Sequence, residues 1–223
     1  MMILARILCL TGGYLCGLLQ TSYIYGRLNG IDIREHGSGN AGTTNALRVL
    51  GKKAGLVVFL GDVLKAVIAV VVVRLIMKGI YPNEAYMFIA YAGFGVVLGH
   101  NFPFYLKFKG GKGIAATAGV VLGFLDPVII LTCLVVFTIA VAITRYVSLG
   151  SILMVTTFAT MYTIFAVSGK YSFDLNVAAS KECMVESVIV VIVMAIMAIY
   201  RHKANIKRLI HHEENKLGSK KEA

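Results

Sequence analysis

Charge is scarce in this sequence of 223 residues. Only 15% of the residues are charged and only 11 are acidic, while 58% are hydrophobic and the mean hydropathy is +0.79. Soluble domains carry about 25% charged residues. The composition therefore excludes an ordinary soluble domain and indicates an integral membrane protein.

Cysteine pairs and nucleotide-binding loops are missing as well. Cys9, Cys16, Cys133 and Cys183 lie in or beside apolar segments, and no CxxC pair occurs. This spacing is typical of small buried apolar residues and gives no support to a disulfide framework or a metal site. The GxxxxGK[ST] pattern of a Walker A loop is absent. We expect neither a metal nor a cofactor.

Seven apolar segments interrupt the polar sequence. We predict an all-α integral membrane protein, a polytopic bundle of about seven transmembrane helices that forms one domain over residues 1–223. The fourth segment is too short to cross a bilayer alone at 1.5 Å per residue, and five full spans are the competing count. The first segment lacks a convincing cleavage site, so we expect an uncleaved span. The predicted segments are about Met2–Tyr25, Leu56–Met77, Ala85–Gly99, Ile114–Leu125, Val128–Ile143, Leu149–Val167 and Met184–Tyr200.

The basic residues are unevenly distributed between the loops. Most of the 22 lysine and arginine residues follow the first, third, fifth and last apolar segments, whereas the opposite loops hold only Arg74, Lys78, Lys170 and Lys181. Cytoplasmic loops carry such an excess. We predict an outside N-terminus and a cytoplasmic C-terminus. The net charge of +11 is explained in this way, without a nucleic-acid partner.

Two glycine-rich clusters lie on the predicted cytoplasmic face. Residues 107–113 read KFKGGKG, preceded by His100 and Asn101, and residues 37–48 read GSGNAGTTNALR. Glycine lets backbone N–H groups approach a ligand, and lysine, arginine and hydroxyl groups bind oxyanions. Taken alone, each cluster is explained equally well as a phosphate site or as a structural segment. The structural role would be a topology-determining loop for 107–113 and a helix-capping turn for 37–48. Their occurrence on one face favours a phosphate site.

Two further polar segments share this face. Residues 145–151 are typical of a helix end with an N-cap. In the C-terminal segment, His202 and Asn205 share a helix face at a spacing of three, beside an amphipathic pattern typical of the membrane interface. A metal site at His211 and His212 is the alternative interpretation of this segment. It is disfavoured because adjacent side chains point in different directions on a helix. Asp62 and Lys65, inside the second span, are expected to form an internal ion pair.

Three of these motifs carry a resemblance to a known family. The sequences GSGNAGTTNALR at 37–48, GHNFP at 99–103 with FKGGKG at 108–113, and the His202 to Leu209 segment are similar to the bacterial acyl-phosphate:glycerol-3-phosphate acyltransferases (PlsY). The resemblance runs from about residue 4 to 218. The HxxxxD motif of the other glycerol-3-phosphate acyltransferases is absent.

The resemblance implies transfer of a fatty acyl group from acyl-phosphate to the 1-hydroxyl of glycerol 3-phosphate, the first step of phospholipid synthesis. It implies a bacterial inner-membrane enzyme with membrane lipid as a partner; the oligomeric state stays open. We expect Arg48 and Lys112 to bind phosphate and His202 to orient or deprotonate the hydroxyl, unless the leaving phosphate takes that proton. The expected catalytic residues also include Ser38 and Asn205. The expected substrate-binding residues are Asn40, Asn45, His100, Lys109, Gly110, Gly111, Gly113 and Ser148.

Two other functions fit the sequence less well. A small organophosphate transporter should carry polar residues through several spans and often an inverted repeat, but only Asp62 and Lys65 are charged mid-span. A CDP-alcohol phosphotransferase would need a carboxylate-rich metal motif, and the 11 acidic residues form no dense cluster within a span.

Overall fold

The structure is a computed structural model that describes residues 1–170 and 180–218. Its regular elements in that part of the chain are all helical, and two short 3₁₀ turns, Ile33–Glu35 and Phe104–Leu106, lie between the longer helices. The α-helices are α1 (Met2–Gly17), α2 (Thr21–Leu28), α3 (Thr43–Ile80), α4 (Ala85–Asn101), α5 (Ile114–Gly123), α6 (Pro127–Thr144), α7 (Val147–Val167), α8 (Lys181–Arg201) and α9 (Lys203–Ile210).

Six helical segments in the described chain are long and apolar enough to cross a membrane. The first combines α1 and α2, and the others are α3, α4 with the 3₁₀ turn after it, α6, α7 and α8. The predicted all-α architecture with several spans is confirmed. The apolar helix α5 has only 10 residues, so a count of seven spans stays a prediction.

The first predicted span is broken in the structure. Helix α1 ends at Gly17 and α2 begins at Thr21. Side chains from other helices bind the carbonyls exposed by the break, since Tyr105 Oη donates to Leu18 O at 2.6 Å and Lys65 Nζ donates to Leu19 O at 2.5 Å. A helix end inside an apolar bundle needs such partners, and the sequence pattern alone did not reveal them.

Helix α3 begins within the first glycine cluster rather than at the predicted residue 56. Its two arms, 43–50 and 52–80, meet at Gly51, whose φ of 86° favours glycine. The short arm turns back on the long arm, so that a Cβ on Gly55 would lie 2.8 Å from Leu47 Cβ. The fold-back packs the short arm, which carries Arg48, against the first turns of the long arm.

Helices α1 and α4 are in close backbone contact through two glycine pairs. A Cβ on Gly13 or Gly17 would lie 2.1 or 2.2 Å from a carbonyl oxygen of α4. A Cβ on Gly95 or Gly99 would lie 2.2 or 2.1 Å from a carbonyl oxygen of α1. Small residues four apart allow this approach in membrane helices. Helix α4 is thereby placed at the centre of the bundle, with most of its residues buried.

The alternating direction of the long helices brings four connections to one end of the bundle. These connections, here called the loop face, are residues 28–43, 101–114, 144–147 and 201–218. Arg34 joins two of them, because its Nη1 donates to Leu106 O at 3.2 Å. Both glycine clusters and the C-terminal polar segment therefore lie on the loop face.

Replacing Gly95 with leucine should destabilise the bundle, because the new side chain meets the α1 backbone. Overpacking a close contact costs about 1–3 kcal/mol, and a backbone clash more. Gly12→Leu is the matched control, since nothing lies within 4 Å of a Cβ at that position. We expect thermal unfolding in detergent to show a lower Tm for Gly95→Leu alone; equal Tm values for both variants would contradict the glycine contact.

Candidate phosphate-binding site

The second glycine cluster is a tight loop held from two sides. Gly110 N–H donates to Asn101 O and Gly111 N–H donates to His100 O, both at 3.2 Å. From the other side, Arg201 Nη2 donates to Gly110 O at 3.1 Å and to Gly111 O at 2.7 Å. This corrects the expectation that the N–H groups of Gly110 and Gly111 are turned toward a phosphate. Glycine is needed at both positions because the loop backbone lies directly against the end of α4.

Gly113 ends this loop and begins α5. Its φ of 81° is a left-handed conformation, and Thr117 donates to its carbonyl from both N and Oγ1. The first N–H groups of a helix lack partners within the helix, and the helix dipole makes this end positive. Lys112 stands directly before the positive end of α5. The combination is suited to an anion.

Lys112 connects the glycine loop to the C-terminal segment. Its ammonium group donates to the Asn205 amide oxygen. Asn205 Nδ2 in turn donates to Glu214 Oε1 at 2.9 Å, and Arg208 Nε donates to Glu214 Oε2 at 2.8 Å. Asn205 is buried, and the Glu214 side chain is only 7% exposed. The chain of hydrogen bonds fixes Lys112 against α9.

The electrostatic balance around Lys112 is positive. Burial lowers the pKa of Lys112 to about 8; the Glu214 carboxylate opposes this shift, whereas the charges of Arg208, Arg201 and Arg48 add to it. Four cationic side chains thus act together with one carboxylate. An anion at this site would relieve the repulsion between the cations. The structure therefore brings Arg48, Lys112 and Asn205 into one cluster, here called the Lys112 cluster.

His202 is buried at the junction of α8 and α9. Its Nδ1 lies 2.7 Å from Ala198 O and must donate to it, so Nε2 is left with a lone pair in the neutral ring. Burial is the main cause that lowers the pKa of His202 to about 4, and the charges of Lys112 and Arg201 lower it further. His202 is therefore neutral near pH 7 and adjoins the Lys112 cluster.

Asn45 holds the first glycine cluster in place. Its Nδ2 donates to Ile33 O at 3.1 Å and to His36 O at 2.9 Å, while its Oδ1 accepts from Ser38 N–H at 2.8 Å. A Cβ on Gly37 would lie 2.3 Å from the same Oδ1. The buried amide is thus engaged with the loop backbone. It positions the exposed Ser38.

The other predicted residues occupy different environments. Asn40 is half-buried, and its carbonyl accepts from Gly42 N–H at 2.9 Å. Lys109 is exposed. Ser148 is buried in the first turn of α7, and its Oγ has no hydrogen-bond partner in the described residues. His100 is buried at the end of α4, below the glycine loop.

Arg201, Arg208 and Glu214 belong to the site although they were not predicted for it. Arg201 belongs to the basic excess after the last apolar segment, and nothing in a basic helix end shows that it binds a distant loop. The spacing of Asn205 and Arg208 was a usable signal, since residues three apart share a helix face. Glu214 follows a turn after α9, where helical periodicity gives no guidance.

Known proteins of one family are similar to most of this chain. A family model described as "Glycerol-3-phosphate acyltransferase" matches residues 7–212. A protein of that name from Clostridioides difficile is 43% identical over the full length of both chains. One from Bacillus subtilis is also 43% identical, over 92% of this chain and 93% of its own.

Solved structures show the same architecture. The glycerol 3-phosphate form of PlsY (YgiH), an integral membrane glycerol 3-phosphate acyltransferase, is 32% identical with a TM-score of 0.78 and covers 96% of both chains. The lysophosphatidic acid form is also 32% identical, with a TM-score of 0.75, over 96% of this chain and 95% of that one. The similarity thus extends over the loop face.

Inorganic phosphate should stabilise the folded chain through the Lys112 cluster, since a ligand bound only by the native state raises its stability. We expect a higher Tm in phosphate than in chloride at equal ionic strength, and we expect Lys112→Met to abolish the difference. Lys203→Met is the matched control, because Lys203 is exposed and lies over the Tyr200 ring. A phosphate effect that survives in Lys112→Met would contradict this site.

Proposed function

The chain belongs to the glycerol-3-phosphate acyltransferase family, and we propose that its acyl donor is an acyl-phosphate. It transfers an acyl group to the 1-hydroxyl of glycerol 3-phosphate, which gives lysophosphatidic acid in the first step of phospholipid synthesis. The observation that carries the proposal is the Lys112 cluster. Its cationic groups and the N-terminus of α5 are suited to phosphate groups beside an apolar bundle.

An acyl-phosphate fits this site better than a thioester donor on physical grounds. Both substrates then carry a phosphate, and one positive site at the loop face can bind the two headgroups close together. The chain of the donor would lie among the apolar helices. Binding both substrates in one place replaces a bimolecular encounter by an oriented reaction, which lowers the barrier.

The positions of the residues support the following roles. Arg48 and Lys112 bind phosphate oxygens, Arg48 through two N–H groups of its planar guanidinium and Lys112 through its ammonium charge. Asn205 directs the Lys112 ammonium group. Ser38 and Ser148 offer hydroxyl groups to substrate, assisted by Asn40, His100, Lys109 and Gly113 around the loop face. Asn45, Gly110 and Gly111 shape the two glycine loops that hold these groups.

The hydroxyl of glycerol 3-phosphate attacks the carbonyl carbon of the donor directly. A new C–O ester bond forms, the bond from carbonyl carbon to phosphate oxygen breaks, and inorganic phosphate leaves. The mixed anhydride is already activated, so no enzyme nucleophile is required. The cations stabilise the negative charge that develops on the carbonyl and phosphate oxygens.

The proton of the attacking hydroxyl passes to the leaving phosphate in this mechanism. A phosphate monoester has a second pKa of about 6, whereas the pKa of His202 is lowered to about 4. The phosphate is therefore the stronger base near pH 7. The free Nε2 lone pair of His202 is suited to accept a hydrogen bond from the hydroxyl and to orient it for attack.

The proposed location is the bacterial inner membrane, with the loop face in the cytoplasm. The excess of basic residues on the loop face supports this orientation, with the N-terminus outside and the C-terminus inside. The many exposed apolar side chains of the long helices support direct contact with membrane lipid. Glycerol 3-phosphate would enter from the cytoplasm, and the acyl donor and the product would move laterally from and into the lipid.

Purified protein should convert acyl-phosphate and glycerol 3-phosphate into lysophosphatidic acid and phosphate. We expect no product when acyl-CoA replaces acyl-phosphate, and we expect Arg48→Ala and Lys112→Ala each to lose at least about 100-fold in kcat/KM, as for lost groups that stabilise transition-state charge. Lys203→Met should retain activity. Transfer from acyl-CoA, or normal kinetics in Lys112→Ala, would contradict the donor or the site assignment respectively.

The pH dependence should report Lys112. Because its pKa is lowered to about 8, the group loses its charge as the pH rises through 8. The value of kcat/KM for glycerol 3-phosphate, which reports the free enzyme, should then fall about tenfold per pH unit above that pH. Lys112→Arg cannot deprotonate in this range, so its profile should stay flat from pH 8 to 9. The same falling limb in both proteins would contradict the assignment.

A further inference from the structure

A second charged cluster lies inside the bundle, below the glycine loop, and of its members only His100 has a role in the mechanism above. Lys65 Nζ donates to Leu19 O at 2.5 Å and to Asp62 Oδ1 at 2.8 Å, and it lies 3.0 Å from His100 Nδ1. Thr21 Oγ1 also donates to Asp62 Oδ1, at 3.2 Å. The side chains of Asp62, Lys65 and His100 are at most 3% exposed. The expected internal ion pair is present, and it includes a histidine.

This arrangement fixes the tautomer of His100. An ammonium group has three N–H donors and no lone pair. All three donors of Lys65 are directed at acceptors, so His100 Nδ1 must accept. A neutral imidazole has one donor and one acceptor nitrogen. The ring proton of His100 therefore resides on Nε2.

The backbone of His100 is fixed as well. Its carbonyl oxygen accepts from Gln20 Nε2 at 2.9 Å and from Gly111 N–H at 3.2 Å. Helix α4 packs tightly on α1 at this end, since a Cβ on Gly99 would lie 2.1 Å from Tyr14 O. The position of the imidazole is thus set by three helices, α1, α3 and α4.

The Nε2–H group reaches the contact between the two glycine clusters. A Cβ on Gly111 would lie 2.2 Å from His100 Nε2 and 2.5 Å from Ala41 O, and Ala41 belongs to the first cluster. In residues 1–170 and 180–218, Nε2 has no hydrogen-bond partner. An N–H donor that has no partner in the protein is available to a ligand. A ligand oxygen at the loop face would satisfy it.

We propose that Lys65 is a positioning residue, which holds His100 as the Nε2–H tautomer so that this N–H group binds an oxygen of the acyl donor beside Gly111. The proposal rests on the proposed function, since it assigns a role within the same site. Asp62 supports the role because its Oδ1 accepts a hydrogen bond from Lys65 Nζ and so directs that group.

The location of the cluster favours the acyl donor over glycerol 3-phosphate. Leu19, whose carbonyl binds Lys65, is an apolar residue that is 52% exposed. Tyr105, which binds the neighbouring carbonyl of Leu18, is 45% exposed. The acyl donor is the substrate that arrives from the lipid. The Lys112 cluster with α9 is available for glycerol 3-phosphate.

Steady-state kinetics of Lys65→Met, His100→Ala and the double variant test the proposal. Each single variant should raise the KM for acyl-phosphate about 10- to 100-fold, the loss expected for one hydrogen bond to a charged acceptor. The KM for glycerol 3-phosphate should stay within about twofold. Because Lys65 acts through His100, the double variant should be no worse than His100→Ala. Lys78→Met, which removes an exposed lysine from the far end of α3, is the control.

Three kinetic results would overturn the proposal. They are additive effects in the double variant, a rise in the KM for glycerol 3-phosphate alone, and a Lys65→Met variant that loses thermal stability with both KM values unchanged. If Lys65→Met fails to fold with Asp62 unpaired, the neutral pair Asp62→Asn with Lys65→Gln takes its place. The amide introduced by Lys65→Gln can still donate to His100 Nδ1, so it should partly restore the low KM for acyl-phosphate. A folded Asp62→Asn, Lys65→Gln variant that does not restore the low KM for acyl-phosphate would also contradict the proposal.

The tautomer can be measured without turnover. Long-range ¹H–¹⁵N NMR of histidine-labelled protein, assigned by the signal lost in His100→Ala, should show a proton on Nε2 and none on Nδ1. In Lys65→Met the two tautomers should mix. A proton on Nδ1 in the wild type would overturn the proposal. Absence of acyl transfer by the wild type would remove the proposed function, while the NMR result would still decide whether Lys65 sets the tautomer.

Discussion

The hydrogen bond between Lys112 and Asn205 is the interaction on which the loop face depends. It joins the glycine loop before α5 to the C-terminal helix α9, two segments far apart in sequence. Burial and the nearby charges of Arg208, Arg201 and Arg48 lower the pKa of Lys112 to about 8, with only Glu214 in opposition. Such an arrangement is costly without an anion. Perturbed pKa values of this kind cluster at functional sites, which supports the proposed binding of phosphate.

The two glycine clusters serve this site by allowing close contact. Gly110 and Gly111 use their own N–H groups to bind the end of α4 and their carbonyls to bind Arg201. In the proposed function, this loop presents Lys112 and the N-terminus of α5 to the substrate. Below it, the buried network of Asp62, Lys65 and His100 supports the same loop from within the bundle. Preorganised groups of this kind need little rearrangement as charge develops.

Much of this architecture could be predicted from the sequence, and the exceptions have physical causes. The apolar runs predicted the spans near α4, α6, α7 and α8, and the charge bias predicted the common face of the polar motifs. The break between α1 and α2 was not predictable, because the carbonyls of Leu18 and Leu19 are bound by Tyr105 and Lys65 from distant segments. The roles of Arg201 and Glu214 likewise depend on tertiary contacts that no local pattern contains.

The central claim is that the loop face holds both substrates together and transfers the acyl group directly. Initial-velocity kinetics with acyl-phosphate and glycerol 3-phosphate both varied test this most directly. A ternary complex predicts double-reciprocal lines that intersect. Parallel lines, the sign of a ping-pong reaction through an acyl-enzyme, would contradict the account.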